Sequence, residues 1–365
     1  SLKKVSIELY APILDSGNVF LNRSMSLYEF ALRDYLGFLN SSTLMQPAPQ
    51  DKFEIDINTD AIASSEKFLK YQPQTTDKDS FLLRSLEIYQ ELLTFYQIEK
   101  LEDQFVDLDL QRLAYVYAQN QNEALEEKFI KELESIEQKY KANPLSTLAS
   151  FQLASLSKKN GKEVEAVNKC KVAVNRFSDS DGGKQCLNLI KEIEKTEFSI
   201  KIENTINNAN NKIFLKYKNL NKIYFKVIEE NPQEKLDSAN PFSDNLWGDS
   251  LKAALVKKSV KEWSVELKPT DDYRQNEIEI ELPDFKYGLY KIFASSSQDF
   301  SYTNNNSKEQ LVYGSFWKSD TLVLVKGAKN KIIGYVLNAK TGQPINDVKV
   351  QSYTYKWNSK SSSMQ

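Results

Sequence analysis

Residues 331–355, K-I-I-G-Y-V-L-N-A-K-T-G-Q-P-I-N-D-V-K-V-Q-S-Y-T-Y, decide how this chain is read. A β-branched apolar run from Lys331 to Asn338 is followed by Thr341-Gly342-Gln343-Pro344 and then by a second alternating run, Val348 to Tyr355. Gly342 can take a left-handed turn conformation and Pro344 cannot donate to a ladder, so the stretch predicts strand, turn, strand. That is how an antiparallel sandwich opens. A sandwich needs about seven strands and about 100 residues, and fifteen residues follow Val350. The chain is therefore expected to be part of a longer polypeptide.

Further toward the N-terminus the same period of two recurs. Phe198 to Ile202, Ile213 to Tyr217, Ile223 to Val227, Trp263 to Leu267, Ile278 to Leu282, Tyr290 to Phe293 and Leu311 to Phe316 alternate apolar with polar residues. Seven such runs match the strand count of an immunoglobulin-like sandwich. Residues 247–258 interrupt them with a short helical pattern (Leu251, Ala254, Leu255), and Thr321 to Lys326 adds one more strand before the opening stretch.

Before about residue 196 the period is helical. Leu82, Leu86, Tyr89, Leu93 and Tyr96 form one stripe, and Leu125, Phe129, Leu133, Ile136 and Tyr140 form another. Val167, Cys170, Val174 and Phe177 form a third. Asn143-Pro144 reads as a helix start. From Leu148 to Ile190, two stripes joined at Asn160-Gly161-Lys162 read as a helical hairpin of tetratricopeptide type. Helices first and strands afterwards argue for separate domains. We expect a helical repeat-like domain over 1–195, a β-sandwich with a helical insertion over 196–318, and the incomplete start of a second sandwich over 319–365.

Composition closes off several functions. The 365 residues carry a formal net charge of -2 with Lys, Arg, Asp and Glu interspersed, so there is no basic footprint for nucleic acid. Histidine is absent, which excludes a Ser-His-Asp or Cys-His centre and a His-ligated zinc. Two cysteines cannot form a tetrahedral thiolate site alone. No apolar run approaches the roughly 20 residues of a membrane helix. The start, Ser1-Leu2-Lys3-Lys4, lacks a signal-type apolar region, as a processed or trimmed chain also would.

The order of these pieces resembles the bacterial alpha-2-macroglobulin-like family, in the large form with an N-terminal helical region. Asn219-Leu220-Asn221-Lys222-Ile223-Tyr224-Phe225 and the turn and strand from Leu282-Pro283 to Gly288-Leu289-Tyr290 are similar to parts of its first macroglobulin domain. Ser319-Asp320-Thr321-Leu322-Val323-Leu324-Val325 is similar to the entry of the next domain, whose second and third strands the T-G-Q-P hairpin would form. Leu110 to Val116 and Phe177 to Cys186 are similar to the preceding helical region. The resemblance implies a non-enzymatic scaffold of a periplasmic or cell-envelope protease inhibitor or trap. Its partners would be downstream macroglobulin domains of the same polypeptide and, for the whole protein, target proteases. It allows membrane attachment through an N-terminal lipid anchor outside this sequence. Many members carry a C-x-E-Q thioester; Cys170 is followed by Lys171-Val172-Ala173 and Cys186 by Leu187-Asn188-Leu189, so neither matches.

Two other readings compete. The T-G-x-P hairpin also resembles the carboxypeptidase-regulatory-like sandwich, which would make this a binding module of an outer-membrane transport or surface glycan-binding system. The third is an accessory region of a secreted enzyme whose catalysis lies elsewhere.

Within the chain, no catalytic, cofactor-binding or metal-ligating residue is expected. Cys170 and Cys186, sixteen positions apart on consecutive predicted helices, are candidates for a structural disulfide; the competing reading is two reduced, buried thiols packed as small hydrophobes. Asp179-Ser180-Asp181-Gly182-Gly183 lacks the third ligand and the glutamate of a calcium loop and reads as a helix cap. Asn305-Asn306-Ser307 fits a glycosylation sequon but reads as a bare loop. Asp107 with Asp109, and Asp271 with Asp272, are acidic pairs with no surrounding pattern to place a substrate. Trp247 and Trp263 are read as anchors of the inserted helix.

Overall fold

In a computed structural model, the chain divides into two compact units, Ser1–Glu192 and Ile193–Gln365. The structure describes residues 2–13, 25–41, 50–207, 211–236, 245–246, 248–268, 271–300, 311–328, 331–350, 357–358 and 363–364. The sequon at Asn305 and the side chain of Trp247 lie outside these residues.

The first unit is helical: α1 (Leu27–Leu39), α2 (Ser65–Phe68), α3 (Phe81–Ile98), α4 (Glu102–Gln119), α5 (Glu123–Lys139), α6 (Ser146–Lys159), α7 (Glu163–Phe177) and α8 (Asp181–Glu194). Polar caps set several starts. Ser26, Ser80 and Asn122 accept hydrogen bonds from the backbone N–H three residues on, satisfying donors that the first turn leaves open. At the Asn143-Pro144 signal the Asn143 side chain does accept from Leu145 N, yet regular helix begins only at Ser146. Gly161, at φ 70°, ends α6: Lys162 N returns to Ser157 O at 2.8 Å, which closes the last turn and points the chain back as α7.

Helices adjacent in sequence pack on each other, from α3 on α4 through to α6 on α7. The predicted stripes face inward: Leu86, Tyr89, Leu93 and Tyr96 of α3 meet Leu113 and Val116 of α4 and Leu125, Phe129 and Leu133 of α5 in one core. Charged groups enter this interior in partnered sets. Arg112 is fully buried, holds Asp109 through Nε and Nη2 at 2.8 and 2.7 Å, and donates from Nη2 to the Ala63 carbonyl at 3.0 Å. Tyr96 donates its hydroxyl to Glu29 at 2.6 Å and accepts from Arg33 Nε at 2.8 Å. An unpaired charge at either place would face a desolvation cost of several kcal/mol.

The second unit contains two sheets around a shared core. The smaller is antiparallel with order β1 (Glu197–Ile202), β3 (Lys212–Lys218), β6 (Asn276–Glu281). The larger runs β2 (Thr205–Ile206), β8 (Leu311–Lys318), β7 (Gly288–Ser295), β4 (Lys222–Glu230), β5 (Lys261–Glu266). β2 pairs β8 in parallel over two residues, so this sheet is mixed; so short an element leaves no period to read in the sequence. Ile213, Leu215 and Tyr217 of β3 and Ile280 of β6 point at Ile223, Phe225 and Val227 of β4 and Ile292 of β7. The chain turns from β3 to β4 through Asn219 at φ 54°, a left-handed position that asparagine tolerates. Outside the larger sheet, α10 (Asp249–Leu255) lays Leu251 and Ala254 on Ile228 and Phe293; the short α9 (Pro232–Leu236) precedes it.

β9 (Thr321–Ala328) and β10 (Lys331–Asn338) form a separate two-stranded antiparallel sheet. Past β10 the Thr341-Gly342 turn is stabilised by Asn338, whose side chain accepts from Lys340 N and Thr341 N, with Gly342 at φ 68°. The chain then doubles back on β10: Pro344 bridges Leu337 and Ile345 N donates to Val336 O at 2.9 Å. The strand expected from Val348 does not continue this pairing. Asp347 sits at φ 57°, which turns the backbone out of extension, and Val348 to Val350 are exposed and irregular; residues 351–355 lie outside the described residues.

Candidate functional site

Several places in the molecule were named from the sequence, and the structure treats them differently. The acidic pairs do not converge. Asp107 and Asp109 are two residues apart on α4 and therefore leave the helix on different sides. Asp109 is buried against Arg112, while Asp107 accepts from Gln111 and lies 3.7 Å from Arg33. Asp272 is exposed, accepts from Arg274 N and pairs with the Arg274 side chain. Arg112 Nε and Nη2 both reach Asp109 Oδ1, which commits that oxygen to a buried ion pair.

Asp109 also edges a cleft of 260 Å³ between α2, α4 and α5, lined among others by Ser65, Glu66, Phe105, Glu132 and Tyr140. Burial raises the Glu132 carboxyl above its ordinary value, with Arg112 pulling the other way. This raised acid was missed in the sequence, where Glu132 looks like any charged residue on the outer face of α5. Among the described residues, no cluster of three or more histidine, cysteine or acidic side chains is arranged to hold a metal ion, and no helix is long and apolar enough to cross a membrane.

Residues 179–183 fold as a helix start. The Ser180 hydroxyl accepts from Gly183 N at 3.1 Å and meets the Thr147 hydroxyl at 2.9 Å, while α8 begins at Asp181. Gly182 is pressed on α6 so closely that a Cβ there would lie 2.3 Å from the Thr147 carbonyl carbon. Two glycines at the start of a helix therefore serve close approach.

The cysteines are brought together. Cys170 on α7 and Cys186 on α8 are both 0% exposed, both thiols are free, and their side chains hydrogen-bond to each other. Beside them, Arg176 of α7 pairs with Glu137 of α5 at 2.7 Å, and Ser150 of α6 donates to the same carboxylate oxygen. The hydrogen bond to Cys170, then burial, then the Glu137 charge push the Cys186 thiol up, whereas the bond it donates lowers Cys170.

Trp263 of β5 stacks on Phe225 with centroids 4.9 Å apart, on the core side of the larger sheet. It packs into the core and does not anchor α10, which lies against the opposite face through Ile228 and Phe293. The alternation of β4 separates the two faces: Phe225 and Val227 point to one side, Lys226 and Ile228 to the other.

Among the described residues, the β9–β10 hairpin is an open apolar surface. Leu322, Leu324, Leu337 and Tyr335 share one of its faces and Val323, Val325 and Val336 the other. Val323, Leu324, Val325, Ile333 and Tyr335 are 41–65% exposed, and neither strand joins the shared core of the two sheets. A connection is made at the hairpin's base, where Tyr287 and Lys340 both reach the Asp320 carboxylate.

No known protein family profile matches this sequence, and no curated protein matches it. Among solved structures, the chain is similar to native alpha-2-macroglobulin from Escherichia coli. For the fragment spanning domains MG0-NIE-MG1 the identity is 13%, the match covers 41% of this chain and 48% of that one, and the TM-score is 0.29. For the fragment spanning NIE-MG1 the corresponding values are 16%, 36%, 64% and 0.24. The chain thus spans about half of the first fragment and just under two thirds of the second.

Proposed function

We propose that this chain is a non-enzymatic scaffold and interaction region of a cell-envelope alpha-2-macroglobulin-like protein that inhibits or traps proteases. The observation that carries the reading is the β9–β10 hairpin, which has apolar side chains on both faces and further β-pairing begun at Pro344 and Ile345. A hairpin built this way is the start of a sheet that other strands complete. The resemblance supplies the rest. Its quoted segments fall in family order on the turn into β4, the entry to β7, β9 and the turn after β10.

In finer terms, the two-sheet region is the first macroglobulin domain, an immunoglobulin-like sandwich, and β9 with β10 begins the second. The helical unit is a tetratricopeptide-like arm that gives reach and docking area. The bait segment and any thioester lie outside these residues, as does the signal or lipid anchor that would bring the protein to the periplasm. Stiff domains in series can switch from one packing to another when a single exposed segment is cut, so a protein without catalytic groups can still act on an enzyme.

The test is to express the whole open reading frame and incubate it with a broad-specificity protease. The reading expects cleavage at one segment and retention of protease in high-mass bands on a denaturing gel or in a native complex. Complete digestion without retention, or a barrel or transport sequence directly after residue 365, would overturn it; the second result would favour the transport or glycan-binding module.

A further inference from the structure

The α7–α8 hairpin holds the chain's two cysteines in a position that packing alone does not require. Cys170 lies seven residues before the end of α7 and Cys186 five after the start of α8. At 1.5 Å of rise per residue the two sit at similar heights, roughly 8–10 Å from the turn. Residues 178–180 are too short a connection for the register to drift, and Gly182 and Gly183 are wedged against Thr147 and Phe177, which fixes where α8 starts. The two thiols consequently face each other across the hairpin, buried from solvent.

We propose that Cys170 and Cys186 close an intrachain disulfide that pins α7 to α8. The oxidant is a small-molecule disulfide of the glutathione type. The Cys170 thiolate attacks one sulfur of the oxidant, forming a mixed disulfide and releasing one equivalent of reduced thiol. The Cys186 thiolate then attacks the Cys170 sulfur and releases the second. Two protons and two electrons leave the protein, and one oxidant disulfide becomes two thiols. Because both sulfurs are buried, the oxidant meets them in the unfolded or opened chain. The bond is therefore a folding-linked staple, and closed α7–α8 packing shields it afterwards. This inference does not depend on the function proposed above.

The full chain is unfolded and then refolded either in a buffer of oxidised and reduced glutathione or in excess reductant; both samples are alkylated in denaturant and weighed by mass spectrometry. The expected result is a monomer that takes up no alkyl group after oxidative refolding and two after reductive refolding. The oxidised form should melt about 6–12 °C above the reduced form, following the entropy of closing a loop of this length in a unit of this size. Glutathione disulfide added to the folded, reduced chain should react roughly tenfold or more slowly than in denaturant, since the thiols are inaccessible. The Cys170→Ala/Cys186→Ala variant should show no redox-dependent shift; if it fails to fold, the two wild-type forms still decide the question. Two free thiols after oxidative refolding, disulfide-linked dimers instead of a closed monomer, or equal melting of the two wild-type forms would each overturn the proposal.

Discussion

β3 and β9 are strands of seven and eight residues, each paired antiparallel, and they end in opposite states. β3 alternates Lys-Ile-Phe-Leu-Lys-Tyr-Lys, with Ile213, Leu215 and Tyr217 buried against the larger sheet and the lysines outside. β9 instead carries the unbroken run Leu322-Val323-Leu324-Val325, the composition of a strand covered on both sides, and in this chain Val323, Leu324 and Val325 are exposed. β3 is paired along both edges and β9 along one, against β10; burial is satisfied in β3 alone. The difference teaches that strand formation and strand burial are separate events. The second needs a facing sheet, which the region around β3 has and the hairpin must find.

The largest effect should come from a residue on the covered side of that comparison. Phe225→Ala empties the middle of the shared core and should cost about 3–5 kcal/mol in chemical denaturation of the second unit. Tyr335→Ala on the open hairpin should stay within about 0.5 kcal/mol. If Tyr335→Ala cost as much as Phe225→Ala, the hairpin would be covered in solution and the comparison would fail.

A similar loss is expected in the helical unit, whose core differs in admitting charge. Arg112→Ala strands Asp109 inside and should cost about 3–5 kcal/mol, whereas Arg112→Met combined with Asp109→Leu should recover most of it. Retention of the loss in the double variant would mean that Arg112 is needed for its backbone contacts at Ala61 and Ala63 more than for its charge.

Gly182→Ala should cost about 1–3 kcal/mol, since its Cβ meets α6 backbone that cannot swing aside. The Gly334→Ala change on the hairpin, where a Cβ meets nothing within 4 Å, should be close to neutral in the same thermal melt. Asn122→Ala removes the cap of α5 and should cost about 1 kcal/mol. The smallest effect is at Glu132, whose folded carboxyl is raised by burial. The protonated form is favoured in the fold, so its contribution is present below the unfolded value of about 4.3 and lost as pH rises through the folded one. Glu132→Gln should therefore raise stability near neutral pH, and the gain should vanish as the pH falls below about 4. A gain independent of pH would remove burial of charge as the cause.

Much of the element pattern was legible because period and burial coincide. Leu86, Tyr89 and Leu93 occur every three to four residues and line the helical core, and the alternation of β3, β4 and β7 matches the faces that meet across the two sheets. The sequence reading lost the start of α6, two residues past its Asn-Pro signal, and β2, too short for any period. It also lost Val348 to Val350, the described part of the second run of the opening stretch, which leaves the ladder at Asp347. Trp263 was assigned to the wrong face of β5, because one aromatic residue in an alternating strand looks the same whichever side the partner lies on.

What the sequence determined by itself is the order, helices and then strands, since periods of 3.6 and 2 are set by backbone geometry and can be read residue by residue. The absence of histidine likewise removed whole classes of chemistry before any fold was known. What only the tertiary structure decided is which surfaces meet. It brings Cys170 to Cys186, buries Arg112 with Asp109, and places Gly182 on Thr147. It also leaves apolar side chains of β9 and β10 exposed, because contact between distant segments depends on how elements dock, and docking leaves no local period in the chain.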